Sequence, residues 1–337
     1  MTSLLSDLGW CPFFADQQEA DEAELVPVRI AAVHRSRLMA QTAKGQVRVG
    51  LPHGANSADF AVGDWVLMDG ASGLAVRRLE RRTVLRRRTE GARDLQLIAA
   101  NVDTLLIVTS CNEDFSPPRL ERYLALANEA GTDPVIVLTK IDKVADPLVF
   151  RDQAEALQRG LAVVLLNAKS PDAAARLAPW CGPGQTVALV GSSGVGKSTL
   201  LNTLAQKAPE EAQLTGSIRE DDAKGRHTTT SRSLHRIAGG GWVIDTPGMR
   251  TLHVSDVAGG LDVLFAEITE LAPQCRFRNC THTHEPGCAV LAAVQSGTLS
   301  AERLDRYRKL RDENEANTPV PTGPRGNKSE APRGRRK

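Results

Sequence analysis

Residues 191–198 run Gly191-Ser192-Ser193-Gly194-Val195-Gly196-Lys197-Ser198, the pattern G-x-x-x-x-G-K-[ST]. Glycines at this spacing let the backbone curl until its N–H groups face phosphate oxygens. Lys197 is then placed to reach the outer phosphates, and the Ser198 hydroxyl to ligate Mg²⁺. The setting agrees with that chemistry. An apolar strand, Thr186–Val190, precedes the loop, and a helix is expected from Thr199 onward.

A phosphate loop does not choose a base. Thr139-Lys140-Ile141-Asp142 follows the apolar run Val135–Leu138 and matches [N/T]-K-x-D. An aspartate carboxylate accepts from guanine N1–H and the 2-amino group together. Adenine lacks that donor pair and would leave the carboxylate unsatisfied. Lys140 is expected along the base plane. Asn167-Ala168-Lys169 follows the next apolar run, Ala162–Leu166. GTPases carry an S-A-K-like loop there, whose backbone contacts guanine O6; Asn167 stands where Ser is usual.

Asp245-Thr246-Pro247-Gly248 follows Trp242–Ile244 and matches D-x-x-G. Asp245 is expected to hold Mg²⁺ through water, and the Gly248 N–H to sense the γ-phosphate. Between the phosphate loop and this element lies Gly225-Arg226-His227-Thr228-Thr229-Thr230. One threonine there can close on Mg²⁺; Thr229 is favoured, with the register among the three open. Residue 249 is Met, where many GTPases place a water-orienting Gln. Slow intrinsic hydrolysis follows. Either His227 or a group supplied by a partner must complete the site.

Cys275, Cys280, His282 and Cys288 form a second cluster, with four, one and five residues between successive members. Three thiolates and one imidazole complete a tetrahedral Zn²⁺ shell and leave no open position, so the site is structural. His284 is the alternative nitrogen.

The elements that must position these groups change character along the chain. Residues 1–24 carry six acids and no Lys or Arg, and are expected to be only partly ordered despite Leu8, Trp10, Phe13 and Phe14. Residues 25–90 show short β-rich runs, Val26–Val33, Gly45–Val49, Asp64–Met68 and Leu74–Leu79, divided by Gly and Pro. That predicts a small β-barrel. From 95 to 255 strands and helices alternate, which predicts a mostly parallel sheet covered by helices. Ser116 is the expected N-cap of a helix opened by Pro117 and ended by Gly131. Residues 256–317 hold the Cys/His cluster and a charged helix near Ser300–Asn314, and the Pro/Gly/Arg tail 318–337 is expected to be disordered.

The base-reading elements precede the phosphate loop, the reverse of the ordinary order. A sheet can be unchanged by such a permutation, which only moves the termini. The switch ending at Gly248 is then joined covalently to the Cys/His module. Taken in order, the β-rich start, TKID, NAK, GSSGVGKST, GRHTTT, DTPGMR and the run Cys275 to Cys288 resemble the ribosome small-subunit-dependent GTPase A family, circularly permuted GTPases of bacteria. The resemblance covers nearly the whole chain. It implies an OB-fold N-terminal domain, a zinc-containing helical C-terminal domain, binding of the 30S subunit and its 16S rRNA, a role in late 30S maturation, and hydrolysis of GTP to GDP stimulated by the subunit.

Charge and length fit that frame. A chain of 337 residues exceeds one typical domain, and 41% hydrophobic content supports a buried core. No apolar run is long enough to span a bilayer, and the acidic start does not resemble a secretory signal. Cytoplasmic location and a monomer are expected. The net charge is only +2, yet eight arginines fall between Arg77 and Arg93 and six basic residues in the tail. Such clusters suit a polyanion, though a linker face and a solubilising tail are equally consistent. The competing function is a GTP-gated RNA-binding checkpoint factor whose hydrolysis only resets binding.

Overall fold

The computed structural model describes residues 2–35, 37–88, 95–205, 232–246 and 254–319. Helices α1 (Thr2–Ser6) and α2 (Pro12–Ala15) lead into β1 (Val26–His34), β2 (Arg37–Thr42), β3 (Gly45–Val49), β4 (Trp65–Met68) and β5 (Ala75–Arg78). β1 pairs antiparallel with both β2 and β4, β2 with β3, and β4 with β5. Their inward residues, among them Val28, Ile30, Leu38, Val49 and Val66, form a core of their own. The expected barrel is only approached. β5 meets the end of β3 through one parallel bridge, Gly50↔Leu74, so the five strands curl without closing along their length. The cause is local: β5 is four residues long, and side-chain-free Gly50 and Gly73 end the ladder there.

The N-terminal segment departs from the expectation of partial order. Leu8 and Phe14 are buried. Trp10 meets Trp65 edge-on at 4.8 Å between centroids, and Phe14 lies 5.8 Å from the same ring. Aromatic burial on this scale, roughly 150 Å² or more per ring, outweighs the cost of ordering a short acidic stretch. The acids do not repel the body either, because Glu22 accepts from Arg77 Nε at 2.7 Å.

The hairpin β6 (Val84–Arg88) and β7 (Leu95–Ala100) precedes the α/β region. There β8 (Thr104–Ser110), α3 (Pro117–Glu129), β9 (Asp133–Thr139), α4 (Leu148–Glu155), β10 (Ala162–Leu165), α5 (Asp172–Leu177), β11 (Thr186–Val190), α6 (Lys197–Ala205), β12 (Ser233–Arg236) and β13 (Trp242–Asp245) follow in turn. The sheet order is β10-β9-β8-β11-β13-β12, parallel except for β12. Every residue of β8 and β11 is buried, as central strands covered on both faces require. A single pair, Ala32↔Ser233, joins β12 to β1 and makes one sheet of eleven strands, nine on a continuous path with β4 and β5 branching from β1.

Pro117 opens α3, with Ser116 in the extended N-cap conformation but making no side-chain cap bond. Its C-terminus closes as a Schellman motif. Thr132 N–H donates to the Ala127 carbonyl, Gly131 N–H to that of Asn128, and Gly131 has φ +72°.

The C-terminal helices are α7 (Ala258–Leu264), α8 (Ala266–Thr269), α9 (Ala289–Gln295) and α10 (Ala301–Asn317). α7 lies on α3, where Gly260 touches the Ala125 carbonyl so closely that any side chain would collide with it. Arg303 and Arg306 of α10 both donate to the buried Glu121 of α3, at 2.7 and 2.8 Å. Among the described residues no helix is long and apolar enough to cross a membrane.

Candidate nucleotide and metal sites

Four sequence-predicted loops leave the carboxyl ends of adjacent parallel strands, where open α/β sheets bind ligands. Gly191 to Ser198 follows β11. Gly191 has φ +138°, and a Cβ there would overlap the Val108 carbonyl of β8. Gly194 and Gly196 also have positive φ, +80° and +102°. This curl directs successive N–H groups into one concavity, the arrangement that receives an anion. Lys197 opens α6, and its ammonium donates back to the Ser192 carbonyl across the loop. Ser198 and Thr199 follow in the first turn of α6, half-buried.

The base-reading loops are fastened to the phosphate loop. Thr139 ends β9, and its hydroxyl donates to the Val195 carbonyl at 2.6 Å, with the Thr109 carbonyl 3.1 Å away. Lys140 takes a left-handed conformation, φ +56°, and turns the chain into a 3₁₀ segment, Ile141–Lys143. Asp142 is exposed at that turn, open to a ligand. Asn167 departs from the usual Ser with a structural effect. Its Oδ1 accepts from Lys169 N–H at 3.0 Å and its carbonyl from Ser170 N–H, so the side chain itself shapes the loop. The carbonyl of Ala168 accepts from Thr203 of α6 at 2.8 Å. One helix therefore carries the end of the phosphate loop and braces the Asn167–Lys169 turn.

Asp245 ends β13 opposite Leu189 of β11, two residues before Gly191. The neighbouring Thr246 hydroxyl donates to the Leu189 carbonyl. His227, Thr228, Thr229, Thr230, Gly248 and Met249 lie outside the described residues.

The second cluster is assembled as its spacing predicts. One donor atom from each of Cys275, Cys280, His282 and Cys288 lies within 4.8 Å of the others. Cys275 Sγ is 3.8 Å from Cys288 Sγ, and His282 Nδ1 is 3.4 and 3.6 Å from those sulfurs. A tetrahedral ion with bonds of about 2.3 Å to sulfur and about 2.0 Å to nitrogen requires edges of about 3.8 and 3.6 Å. The donor set therefore fits one metal ion.

Cys288 is the N-cap of α9, and its sulfur accepts from Leu291 N–H at 3.4 Å. His282 is held at φ +59° and buried; His284 is exposed and stands apart from the cluster. Glu285 shapes this loop by accepting from the Thr281 hydroxyl and from the N–H groups of Thr281 and Thr283, which hold its carboxyl well below the usual range. Burial pushes the Cys280 thiol up to about 12 and holds the His282 imidazole below its ordinary value. A divalent cation reverses the penalty on the thiolate.

The arginine-rich run is mostly engaged within the molecule. Arg77 pairs with Glu22, Arg81 with Asp64, Arg82 with Asp103 and Arg88 with Asp256. Arg78 and Arg86 remain exposed, and Arg93 lies outside the described residues. Arg77 thus ties the N-terminal segment to β5, Arg82 reaches the start of the α/β region, and Arg88 holds the turn before α7 to β6.

A parallel sheet that carries a glycine-rich phosphate loop after β11, its fourth strand in sequence, with the Thr139–Asp142 and Asn167–Lys169 loops after the two strands before it, defines a circularly permuted P-loop GTPase. Residues 78–255 match the family described as RsgA GTPase. Over 333 residues the chain is 66% identical to "Small ribosomal subunit biogenesis GTPase RsgA" of Mesorhizobium japonicum, covering 99% of this chain and 96% of that one. It is 48% identical over 308 residues to "Small ribosomal subunit biogenesis GTPase RsgA 2" of Vibrio vulnificus, covering 91% and 86%. The crystal structure of YjeQ from Thermotoga maritima is similar in fold, with a TM-score of 0.63 at 25% identity, over 86% of this chain and 98% of that one. The chain belongs to the RsgA GTPase family, and its enzymatic class is that of a GTP hydrolase.

Proposed function

We propose that the protein acts in late maturation of the small (30S) ribosomal subunit, in the cytoplasm and as a monomer, and that the subunit and its 16S rRNA stimulate its hydrolysis of GTP to GDP and phosphate. The observation that carries this reading is near-full-length identity of 66% to a protein described as a small ribosomal subunit biogenesis GTPase. The motifs suggest the following roles. Thr139, Lys140, Ile141 and Asp142 read the guanine, with Asn167, Ala168 and Lys169 presenting backbone to its oxygen. Gly191 to Thr199 enclose the phosphates, and Lys197 neutralises charge that builds on them. Ser198, Thr229 and Asp245 would hold Mg²⁺, which when bound would offset the negative charge of the phosphates. Gly248 senses the γ-phosphate, and His227 or a group from the subunit orients the water that Met249 cannot. Cys275, Cys280, His282 and Cys288 hold one structural Zn²⁺. The division into residues 1–24, 25–90, 95–255, 256–317 and 318–337 belongs to the same reading, with the curled sheet as an OB-fold and the exposed Arg78 and Arg86 meeting rRNA phosphates.

The test is GTP turnover with purified 30S subunits, with 50S subunits and with neither. Stimulation by 30S alone is expected, and its loss in Lys197→Ala and Ser198→Ala. Equal turnover in all three conditions, or stimulation by 50S alone, refutes the assignment.

A further inference from the structure

Thr203 lies six residues beyond Lys197 on α6, about 9 Å along the axis at 1.5 Å per residue, and is half-buried. A threonine inside a helix ordinarily returns its hydroxyl to the carbonyl one turn back. Here that carbonyl, of Thr199, is 3.0 Å away, and the Ala168 carbonyl of the Asn167–Lys169 loop is nearer, at 2.8 Å. Ala168 is itself buried, in the same apolar cluster as Val195, Leu200 and Leu204. Its methyl lies 3.8 Å from where a Cβ on Gly196 would stand, so the loop rests directly on the phosphate loop. The same point is 3.6 Å from Thr139 Oγ1, which places Ala168 close to the turn that carries Asp142.

The loop holds two consecutive peptide units, and three of their four polar groups are engaged within the protein. In the unit between Ala168 and Lys169, the carbonyl accepts from Thr203, and the Lys169 N–H donates to Asn167 Oδ1 at 3.0 Å. In the unit between Asn167 and Ala168, the carbonyl accepts from Ser170 N–H at 2.9 Å. The fourth group is the Ala168 N–H, and no group among the described residues accepts from it. A trans peptide is planar, with its N–H directed opposite to its carbonyl. The Asn167 carbonyl turns toward Ser170, so the Ala168 N–H points the other way. A donor held still in this manner suits guanine, whose 6-position carries an accepting oxygen. Adenine presents an amino group there and would meet the N–H donor to donor.

We propose that Thr203 is a positioning residue for base recognition: with Asn167 it clamps the Ala168–Lys169 peptide from both sides, so that the Ala168 N–H meets the 6-position of the base already ordered. Thr203 touches no part of the nucleotide. It belongs to the helix that begins at Lys197, so the group that fixes the base-reading donor moves with the group that holds the phosphates. Filling one part of the site thereby prepares the other. This rests on the proposed reading that residues 167–169 face the guanine oxygen.

The experiment compares Thr203→Val, which keeps the shape and removes the hydroxyl, with Thr203→Ser, which keeps it. Affinities for GDP and for 6-thioguanosine diphosphate are measured on the full chain at neutral pH. The thio nucleotide retains the N1–H and 2-amino donors that Asp142 reads, but presents sulfur, a weak acceptor, at position 6. Wild type should prefer GDP by about tenfold, the worth of one hydrogen bond of ordinary strength. In Thr203→Val, GDP should bind about tenfold more weakly and the thio nucleotide within about twofold of its wild-type affinity, so that the preference collapses. Thr203→Ser should restore it. Equal weakening of both nucleotides in Thr203→Val marks a merely structural hydroxyl and overturns the proposal, as does a preference that survives without the hydroxyl. If wild type selects GDP over ADP but does not prefer it to the thio nucleotide, the underlying reading of the 167–169 loop fails instead. Should the melting temperature show that Thr203→Val does not fold, Thr203→Ala takes its place.

Discussion

Removal of the Glu121 carboxylate is the sharpest test of how the C-terminal module is held. Its side chain is fully buried in α3, and Oε1 accepts from Arg303 at 2.7 Å and from Arg306 at 2.8 Å, while Oε2 has no hydrogen-bond partner. With charge centres about 4 Å apart, each pair contributes ~4 kcal/mol at an effective dielectric of about 20. Deletion forfeits both attractions but recovers the several kcal/mol that desolvating the carboxylate costs. Arg303 keeps Glu267 and the Leu264 carbonyl, and it stacks over Phe265 at 4.1 Å. The net expectation for Glu121→Ala is a loss of about 3–5 kcal/mol, the range for breaking one side of a buried pair. Arg306→Met should cost only about 1–2 kcal/mol, since Arg306 is partly solvated and its other partner is the exposed Glu302. Urea unfolding followed by circular dichroism reads both. At an m of about 3 kcal/mol/M, the Glu121→Ala midpoint should fall by about 1 M or more. A loss below about 1 kcal/mol, the range of exposed ion pairs, would refute the reasoning.

Asp142→Asn should lower GDP affinity by about a hundredfold or more, two charge-assisted hydrogen bonds being worth ~3 kcal/mol or more, and should raise affinity for the xanthine nucleotide; unchanged discrimination in a competition titration removes Asp142 from base reading. Gly191→Ala should abolish nucleotide binding with secondary structure retained, because the added methyl meets the Val108 backbone rather than a movable side chain; tight binding in that variant would show that the loop can shift freely. Chelation at neutral pH should open the cluster and expose the half-buried Cys275 and Cys280 to a thiol reagent, while Cys111 and Cys181, buried in the core, stay silent. Reactivity unaltered by chelator refutes the metal site. The Glu22 carboxyl is lowered to about 2, first by its hydrogen bond from Arg77. A depressed folded value means the pair stabilises fully above the unfolded value of about 4.5 and is lost as pH falls toward 2. Fluorescence of Trp10 and Trp65 should follow that loss, and Glu22→Gln should abolish the transition between those limits.

The local geometry of these motifs was legible in the sequence because it depends on short spacing. Phosphate-loop glycines, the Thr139–Asp142 turn and the Cys275–Cys288 cluster each specify a geometry within a few residues, and the described loops adopt it. The contacts that join one unit to another were not legible. Arg82 and Asp103, and Arg88 and Asp256, are paired across 21 and 168 positions, and nothing local distinguishes such an arginine from one that faces RNA. The acidic start misled for a related reason. Its charge suggested disorder, whereas Leu8, Trp10 and Phe14 carried the stronger signal, visible only once Trp65 is known to lie opposite. The unclosed barrel follows from a strand too short to complete its seam, a length that the apolar pattern Leu74–Leu79 overstated.

The hydrogen bond from Trp242 Nε1 to the Asp7 carbonyl, 2.7 Å long, has a consequence for biosynthesis. Its partners are 235 positions apart. At about 5–20 residues per second, more than about ten seconds pass between their emergence during translation. In that interval the aromatic rings of the first helices can already be sheltered by Trp65, only some fifty residues downstream. The start of β13 then docks against a surface prepared long before it. Rotating the order of the motifs thus delivers the Thr139–Asp142 and Asn167–Lys169 loops before the phosphate loop, and a product truncated ahead of Gly191 would carry the first two without the third.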